Sequence, residues 1–399
     1  MPFTLYLLGL AIFAMGTSEF MLSGLLTGMA RDLSVSVPAA GSLTSAFAVG
    51  MVVGAPLMAV TARRWSRRDA LLAFLLVFLL AHAVSALTDS FPLLLAMRVV
   101  SALANAGFLA VAFSAAALMV GPQAKGRATA VLLGGVTLAC VAGVPGGALL
   151  GQYGGWRAAF WAIVVLCVPA LWAVWRAVPN GPTPDEAAEA AEAAGPAGAG
   201  TVRAELRVLG RPRPLLILVL CALVNGATFC AFTYLAPLVT EVSGLSPRWV
   251  PAVLVLFGAG SFLGVSAAGR LADARPLPLL IGGSVIHLAG WALLAGGGDR
   301  PAVLLVLVPV QGALAFAIGS TLVSQVLYAG AGAPVLAGAS ATAAFNVGAA
   351  LGPWLGGATI TAGLGFRSPV VVSAALLAVA VGIGAAALLA PRARVARTG

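Results

Sequence analysis

Two ionisable side chains, Glu19 and Arg98, lie inside long apolar stretches and are the clearest candidates for chemistry. Glu19 is the one charged residue between Phe3 and Met29. A helix of roughly 20 apolar residues crosses a bilayer, and Glu19 lies roughly 24 Å along this one from Phe3. Burial favours a neutral, protonated carboxyl group, so surroundings that alternate between wet and dry would let Glu19 bind and release a proton. The alternative is a static polar contact between helices.

Arg98 is the only arginine or lysine that we place within an apolar span and away from its ends. The helix that carries it enters the membrane near Pro92, which puts Arg98 roughly 9 Å below the outer face, in the same layer as Glu19. Ser101 and Asn105 follow at i+3 and i+7, on the same face of the helix. A guanidinium stays charged, so we expect it to pair with Glu19 or a backbone carbonyl, or to contact substrate. The alternative is snorkelling to the outer interface.

Composition identifies the chain as a membrane protein that crosses the bilayer many times. Of its 399 residues 61% are apolar and 9% are charged, whereas soluble domains carry about 25% charged residues. The net charge of +10 does not indicate nucleic-acid binding, because the arginines fall between the apolar spans rather than along one face. The cysteines lack metal-ligand spacing, and His82 and His287 have no metal-like neighbours, so we interpret all of them as structural.

The apolar runs predict an all-α membrane protein with twelve transmembrane helices in two six-helix bundles of related structure. The first bundle spans 1–178, a cytoplasmic linker spans 179–212, and the second bundle spans 213–399 with a short cytoplasmic tail. The predicted helices are 3–29, 40–62, 70–88, 92–119, 128–151, 157–178, 214–240, 249–271, 277–296, 301–328, 335–362 and 369–390. With the N-terminus inside, sixteen basic residues fall in inner segments and five in outer segments, so both termini are predicted to be cytoplasmic.

The two halves repeat with an offset of about 210 residues. Asp89 precedes the fourth span as Asp299 precedes the tenth, and both lie on the same predicted side of the membrane. Such a parallel repeat places a binding site near the midplane between the halves. At this offset the C-terminal half has no counterpart of Glu19 or Arg98, so it offers neutral groups. Each of these groups alone fits a helix–helix hydrogen bond better than a ligand contact. As a set they suit a neutral, partly aromatic ligand: Asn225, Phe229, Gln311 and Asn346.

Glycines and prolines recur in the fifth and eleventh spans. Small residues four apart let helices approach closely, and proline kinks a helix, so we predict packing and gating roles for Gly143, Pro145, Gly147, Gly151, Gly348, Gly352, Pro353 and Gly356. The basic loop between the second and third spans contains Arg63 and Arg67, and its counterpart contains Asp273. Topology alone explains these charges, and a second interpretation is an inner gate in which Asp273 pairs with the arginines.

The glycine runs and Arg98 resemble motifs of the major facilitator superfamily, within it the twelve-span drug:proton antiporters. Longer stretches in both halves resemble actinomycete chloramphenicol resistance exporters: GTSEFM at 16–21, LTSAFAVGMVVGAPL at 43–57, RVVSALANAGFLAVA at 98–112, LVLFGAGSF at 254–262 and QGALAFAIGSTL at 311–322. The resemblance implies that Arg98 takes part in proton coupling. The chain departs from the family at its first inner loop, where Arg63 and Ser66 replace an acid and a glycine.

Together these observations predict an exporter that exchanges protons for a small amphipathic drug, and the resemblance alone points to chloramphenicol. We expect a monomer in the cytoplasmic membrane, with no cofactor besides the proton gradient and no nucleic-acid partner. The alternatives are an exporter of sugars or endogenous metabolites and a membrane sensor that no longer transports. An intramembrane enzyme is disfavoured, because the sequence has no H-E-x-x-H pair and no clustered nucleophile and base.

Overall fold

A computed structural model describes residues 3–61, 65–120, 125–178, 207–271, 276–330 and 334–395. All regular secondary structure in these ranges is helical, so the predicted all-α class is confirmed. The chain divides into two compact units, Met1–Leu209 and Gly210–Gly399. The predicted linker falls largely in 179–206, outside the described residues.

Eight α-helices and one π-helical segment are described in the N-terminal unit. In chain order they are α1 (Phe3–Phe20), α2 (Leu22–Asp32), α3 (Val37–Thr61), α4 (Arg67–Leu87), α5 (Phe91–Leu118), α6 (Lys125–Leu138), the π-segment (Ala139–Gly143), α7 (Val144–Gly154) and α8 (Trp156–Ala177). The core of this unit lies where α1, α4, α5 and α8 meet, around fully buried side chains such as Leu8, Phe78, Phe108 and Phe160. Helix α1, which carries Glu19, is therefore packed at the centre of its unit.

The described part of the C-terminal unit follows the same plan. Its helices are α9 (Pro212–Thr233), the single turn α10 (Leu235–Pro237), α11 (Trp249–Leu271), α12 (Pro276–Gly297), α13 (Pro301–Ala329), α14 (Pro334–Thr359) and α15 (Ser368–Val395), with π-helical turns at Leu238–Val242 and Ile360–Leu364. Helix α9 packs against α13, α14 and α15. It is the counterpart of α1 in the repeat.

Within the described ranges, eleven helices are long and apolar enough to cross a membrane. They coincide with eleven of the twelve predicted spans. The remaining span, predicted at 335–362, corresponds to α14, which has 26 residues but is rich in glycine, alanine and threonine. Two of its glycines, Gly348 and Gly352, lie against the backbone of α9.

The first span is one predicted helix that the structure divides at Met21. Its N–H donates to the carbonyl of Thr17 at 2.8 Å, while the Gly24 N–H donates to the Met21 carbonyl at 3.1 Å, a tighter turn than the α-helix. The seventh span is likewise divided at Tyr234. The first and the seventh predicted spans thus each change their hydrogen-bonding pattern part-way along, and in the first span the change comes two residues after Glu19.

The glycines of the fifth and eleventh spans lie at close helix crossings. A methyl group on Gly147 would lie 3.2 Å from Cβ of Met21 in the first span, and one on Gly352 would collide with the carbonyl oxygen of Gly226 in α9. A methyl group on Gly147 would require Met21 to shift by a few tenths of an ångström, whereas the backbone of Gly226 leaves no room for one on Gly352. The packing role predicted for these glycines agrees with the contacts, and it joins the fifth span to the first and the eleventh to the seventh.

Ion pairs at one end of each unit show the repeat again. Arg157 pairs with Asp89, and 210 residues later Arg367 pairs with Asp299 at 3.3 Å. Arg157 also lies 3.7 Å from Asp32, whose carboxylate accepts a hydrogen bond from the indole N–H of Trp156. These charges hold helix ends and loops together at the end of each unit that the sequence predicts to face outside.

Candidate functional site

Glu19 lies in the last turn of α1 and is half-buried. No hydrogen bond or direct ion pair to its carboxylate is found among the described residues. The positive charge of Arg98 nevertheless lies close enough to interact with it electrostatically. A carboxylate that is partly accessible, near a cation but not bound to it, is free to accept a proton or a ligand.

Arg98 is 1% exposed, although its charge makes burial costly. Its Nη1 donates to the hydroxyl of Ser18 at 2.9 Å, and its Nη2 donates to the carbonyl oxygen of Ser18 at 3.1 Å. The guanidinium also lies 4.4 Å from the ring centre of Phe47 on α3, a favourable cation–π distance. The snorkelling interpretation is therefore wrong, because the side chain points into the unit and bonds α1.

Ser18 and His82 complete this arrangement, and the sequence analysis assigned neither of them to it. Nε2 of His82 lies 2.6 Å from the Ser18 hydroxyl oxygen, and Nδ1 lies 2.8 Å from the carbonyl oxygen of Phe78. We call Ser18, Phe47, His82 and Arg98 the Arg98 network. A titratable ring within an apolar span was the available signal for His82, and adjacency to Glu19 was the signal for Ser18.

Ser101 and Asn105 lie on the buried face of α5, as predicted from their spacing. The Ser101 hydroxyl donates to the carbonyl of Arg98 at 2.9 Å and so stays within its own helix. The Asn105 amide nitrogen lies 3.6 Å from the sulfur of Met51, while its Oδ1 is buried and has no hydrogen-bond partner among the described residues. Asn105 is thus the residue of this face with an acceptor free for a ligand.

The π-segment lies against α1 at the level of Thr17, two residues before Glu19. A methyl group on Gly143 would collide with the side chain of Thr17, and one on Gly16 would lie 3.0 Å from Cβ of Ala139. Pro145 has no N–H for the carbonyl four residues earlier, so the regular α-helical ladder cannot pass through this turn. Helical segments of this wider type are frequent at functional sites, and this one borders the candidate site.

The predicted cavity residues of the C-terminal unit lie in two groups. Asn225 is half-buried and donates to the carbonyl of Phe345 on α14 at 2.6 Å. Phe229 begins a row of aromatic rings. Its ring centroid lies 6.2 Å from that of Phe232, which in turn lies 4.6 Å from that of Phe257. This row lines α9 and α11, and the sequence analysis did not assign Phe257 to it.

Gln311 and Asn346 make contacts of a different kind. Gln311 is fully buried. Its Nε2 donates to the backbone carbonyl of His287 at 3.0 Å, and its Oε1 lies 3.3 Å from Nδ1 of the His287 ring. Asn346 donates to the carbonyl of Thr342 within its own helix at 3.0 Å. Both amides therefore have protein partners, and their role toward a ligand stays a prediction.

The residues predicted to form an inner gate are only partly described. Arg63 and Asp273 lie outside the described residues. Arg67 begins α4, whose cap is the hydroxyl of Ser66, accepting from the N–H of Asp69 at 3.1 Å. The serine that replaces a glycine of the family pattern thus starts the helix, because an N-cap oxygen satisfies an otherwise unpaired N–H.

Long apolar helices with a buried arginine held among them are typical of a membrane protein that crosses the bilayer many times. A family model described as the Major Facilitator Superfamily matches residues 8–339. The chain belongs to this superfamily, a family of transporters and not of enzymes, and the predicted fold is confirmed.

Curated relatives cover nearly the whole chain. It is 56% identical over 380 residues to the chloramphenicol resistance protein of Streptomyces lividans, an alignment that covers 95% of each chain. It is 36% identical over 369 residues to the inner membrane transport protein YdhP of Escherichia coli strain K12, with 90% of each chain covered.

Solved structures share the fold at low sequence identity. The nucleoside transporter NupG aligns with a TM-score of 0.76 at 14% identity, covering 96% of this chain and 99% of its own. A bacterial homologue of the human lysosomal transporter Spinster aligns with a TM-score of 0.73 at 18% identity, covering 96% and 95%. These likenesses support the fold and carry no statement about substrate.

Proposed function

We propose that this protein exports a small amphipathic antibiotic, chloramphenicol or a close analogue, in exchange for protons. The 56% identity to a chloramphenicol resistance protein over 95% of both chains supports the substrate class. The observation that carries the mechanism is the half-buried Glu19 beside the fully buried Arg98. A titratable group next to a permanent charge within the membrane is costly, and proteins keep such groups where ions move.

In the proposed cycle, Glu19 exchanges drug for a proton when the site opens outward. The neutralised site then closes and opens inward, where loss of the proton accompanies binding of the next drug molecule. Arg98 favours the charged carboxylate and so opposes protonation until the drug has left. The energy comes from the proton gradient, and no cofactor takes part.

The available energy is sufficient for resistance. One proton that crosses 100 mV releases about 2.3 kcal/mol. At about 1.4 kcal/mol per tenfold, this supports a concentration ratio near fiftyfold. A single proton for each neutral drug molecule would therefore suffice.

The ligand contacts proposed here comprise one polar group and a row of aromatic rings. In the N-terminal unit Asn105 offers its unpartnered Oδ1 to a hydroxyl or amide N–H of the drug. In the C-terminal unit the aromatic row beginning at Phe229 offers flat apolar surface to an aromatic ring. We further propose a monomer in the cytoplasmic membrane with both termini inside.

The test is uptake of labelled chloramphenicol into proteoliposomes with an imposed pH gradient. Wild type is compared with Glu19→Gln, which keeps the shape of the side chain and cannot ionise. Glu241→Gln is the control, because Glu241 is an exposed acid at the end of the seventh span. We expect wild type and the control to accumulate drug, and Glu19→Gln to bind drug without accumulating it. Absence of accumulation by wild type in liposomes that hold their gradient would overturn the proposal in favour of metabolite export.

A further inference from the structure

We propose that Ser18 and His82 are positioning residues for proton coupling, because together they hold Arg98 on the peptide that carries Glu19. This inference rests on the proposed function. It concerns two side chains that touch neither proton nor drug in the proposed cycle. Their contribution is to orient the Ser18 hydroxyl so that Arg98 donates to it in a fixed position.

The chemistry of the partners fixes the direction of each hydrogen bond. A carbonyl oxygen only accepts, so Nδ1 of His82 carries the hydrogen that is donated to Phe78. In a neutral ring Nε2 is then an acceptor, and it takes the hydrogen of the Ser18 hydroxyl. The Ser18 oxygen keeps a lone pair for Nη1 of Arg98. The hydroxyl of Ser18, the two ring nitrogens of His82 and the two Nη atoms of Arg98 thus each have a partner that their chemistry allows.

This series of hydrogen bonds requires a neutral His82 ring. A protonated His82 would present a second donor to Ser18, whose oxygen already accepts from Arg98. The hydroxyl hydrogen would then lose its acceptor, and a buried donor without a partner costs as much as a lost hydrogen bond. The ring is therefore an acceptor that aligns Ser18, rather than a second proton carrier.

Packing prevents His82 from leaving this position. The ring is 1% exposed and lies 4.2 Å from the ring centre of Phe78 and 5.6 Å from that of Phe160. Two aromatic walls on α4 and α8 thus define its orientation. Through Ser18, which is fully buried, this orientation is transmitted to Arg98 on α5.

The consequence concerns Glu19. The second bond of Arg98 goes to the carbonyl of Ser18, which belongs to the peptide between Ser18 and Glu19. Arg98 is thereby held beside the carboxylate without a direct ion pair to it. Without the Ser18 hydroxyl, the guanidinium loses one of its two fixed partners and can swing onto Glu19, where it would compete with the proton and the drug.

The test uses Ser18→Ala and His82→Phe, which remove the hydroxyl and the ring acceptor while keeping size or aromatic packing. Ser85→Ala is the control, because Ser85 is a buried serine on α4 whose hydroxyl donates to the carbonyl of Ala81 in the same helix. His82→Gln is the conservative rescue, since its amide oxygen can accept from Ser18. Gradient-driven chloramphenicol uptake and equilibrium drug binding are measured for each variant in proteoliposomes.

We expect Ser18→Ala and His82→Phe to lose about tenfold in uptake, the scale of one hydrogen bond to a charged group, with drug affinity within about twofold. His82→Gln and Ser85→Ala should transport like wild type. Because Ser18 acts through Arg98, Ser18→Ala combined with Arg98→Lys should lose no more uptake than Arg98→Lys alone.

Wild-type uptake in both Ser18→Ala and His82→Phe would overturn the inference. So would losses that multiply in the double variant, because they would mean that Ser18 and Arg98 act independently. A failure of His82→Gln to restore uptake would contradict the role of the ring as an acceptor. No uptake by the wild type would instead overturn the proposed function and the positioning role with it. The wild type thus tests the proposed function, and the variants test the positioning role.

Discussion

The crossing of Gly143 and Thr17 offers a quantitative test of the packing beside Glu19. The nearest atoms to a methyl group on Gly143 all belong to the side chain of Thr17. Gly143→Ala would therefore force the π-segment and α1 apart, and overpacking of this kind costs about 1–3 kcal/mol. Since Glu19 follows in the same helix, we expect the variant to lose both thermal stability and transport.

The same crossing predicts its own rescue. Thr17→Ala removes two of the three colliding atoms and leaves Cβ at 2.9 Å, which a small shift relieves. Because the hydroxyl of Thr17 is buried and has no partner in the part of the chain that the structure describes, its removal should cost little by itself. The double variant should therefore recover at least half of the lost stability, a favourable coupling of about 1 kcal/mol.

Gly352→Ala is the matched comparison. Its added methyl group would meet backbone atoms of Gly226 and Cys230, so no side-chain substitution relieves the collision. The assay is thermal unfolding in detergent followed by uptake in proteoliposomes. Equal stability of wild type and Gly143→Ala, or no recovery in the double variant, would refute this account of the crossing.

Other predictions follow from individual contacts. Asn105→Leu should leave the melting temperature nearly unchanged but weaken equilibrium chloramphenicol binding about tenfold, because the lost Oδ1 has no partner among the described residues. Unchanged binding would exclude Asn105 from the site. Arg157→Gln should destabilise the protein more than Arg367→Gln in salt-dependent thermal unfolding, because Arg157 contacts two acids and a tryptophan ring whereas Arg367 contacts one acid; both effects should be near 1 kcal/mol or less, and the reverse order would contradict this. The four cysteines, Cys140, Cys167, Cys221 and Cys230, are buried free thiols. A maleimide should label none of them until the protein unfolds, and rapid labelling of the native protein would contradict their burial.

The spans, the repeat and the close-packed glycines could be read from the sequence because each depends on local periodicity or on one repeated interval. Asp89 and Asp299 show this well, since their spacing matches that of the arginines with which they pair. Glycines four apart likewise indicate a helix crossing before the partner helix is known. Such signals come from the spacing of residues within one segment, or from a fixed offset between two similar segments.

The Arg98 network could not be read in this way, because its members come from four helices. Ser18 and Arg98 are 80 residues apart, and Ser18 and His82 are 64 apart. Nothing local to His82 distinguishes a ring that aligns a serine from one that merely fills space. The π-segment was equally hidden, since Pro145 predicts an interrupted ladder but not the wider turn that replaces it.

The most direct test of proton-coupled export is the proton movement that the drug itself drives. Purified protein in liposomes with an internal pH-sensitive dye receives a chloramphenicol gradient without an imposed pH gradient. We predict that wild type moves protons opposite to the drug and that Glu19→Gln moves none. Drug entry without proton movement in the wild type, or undiminished proton movement in Glu19→Gln, would contradict the assignment of coupling to Glu19.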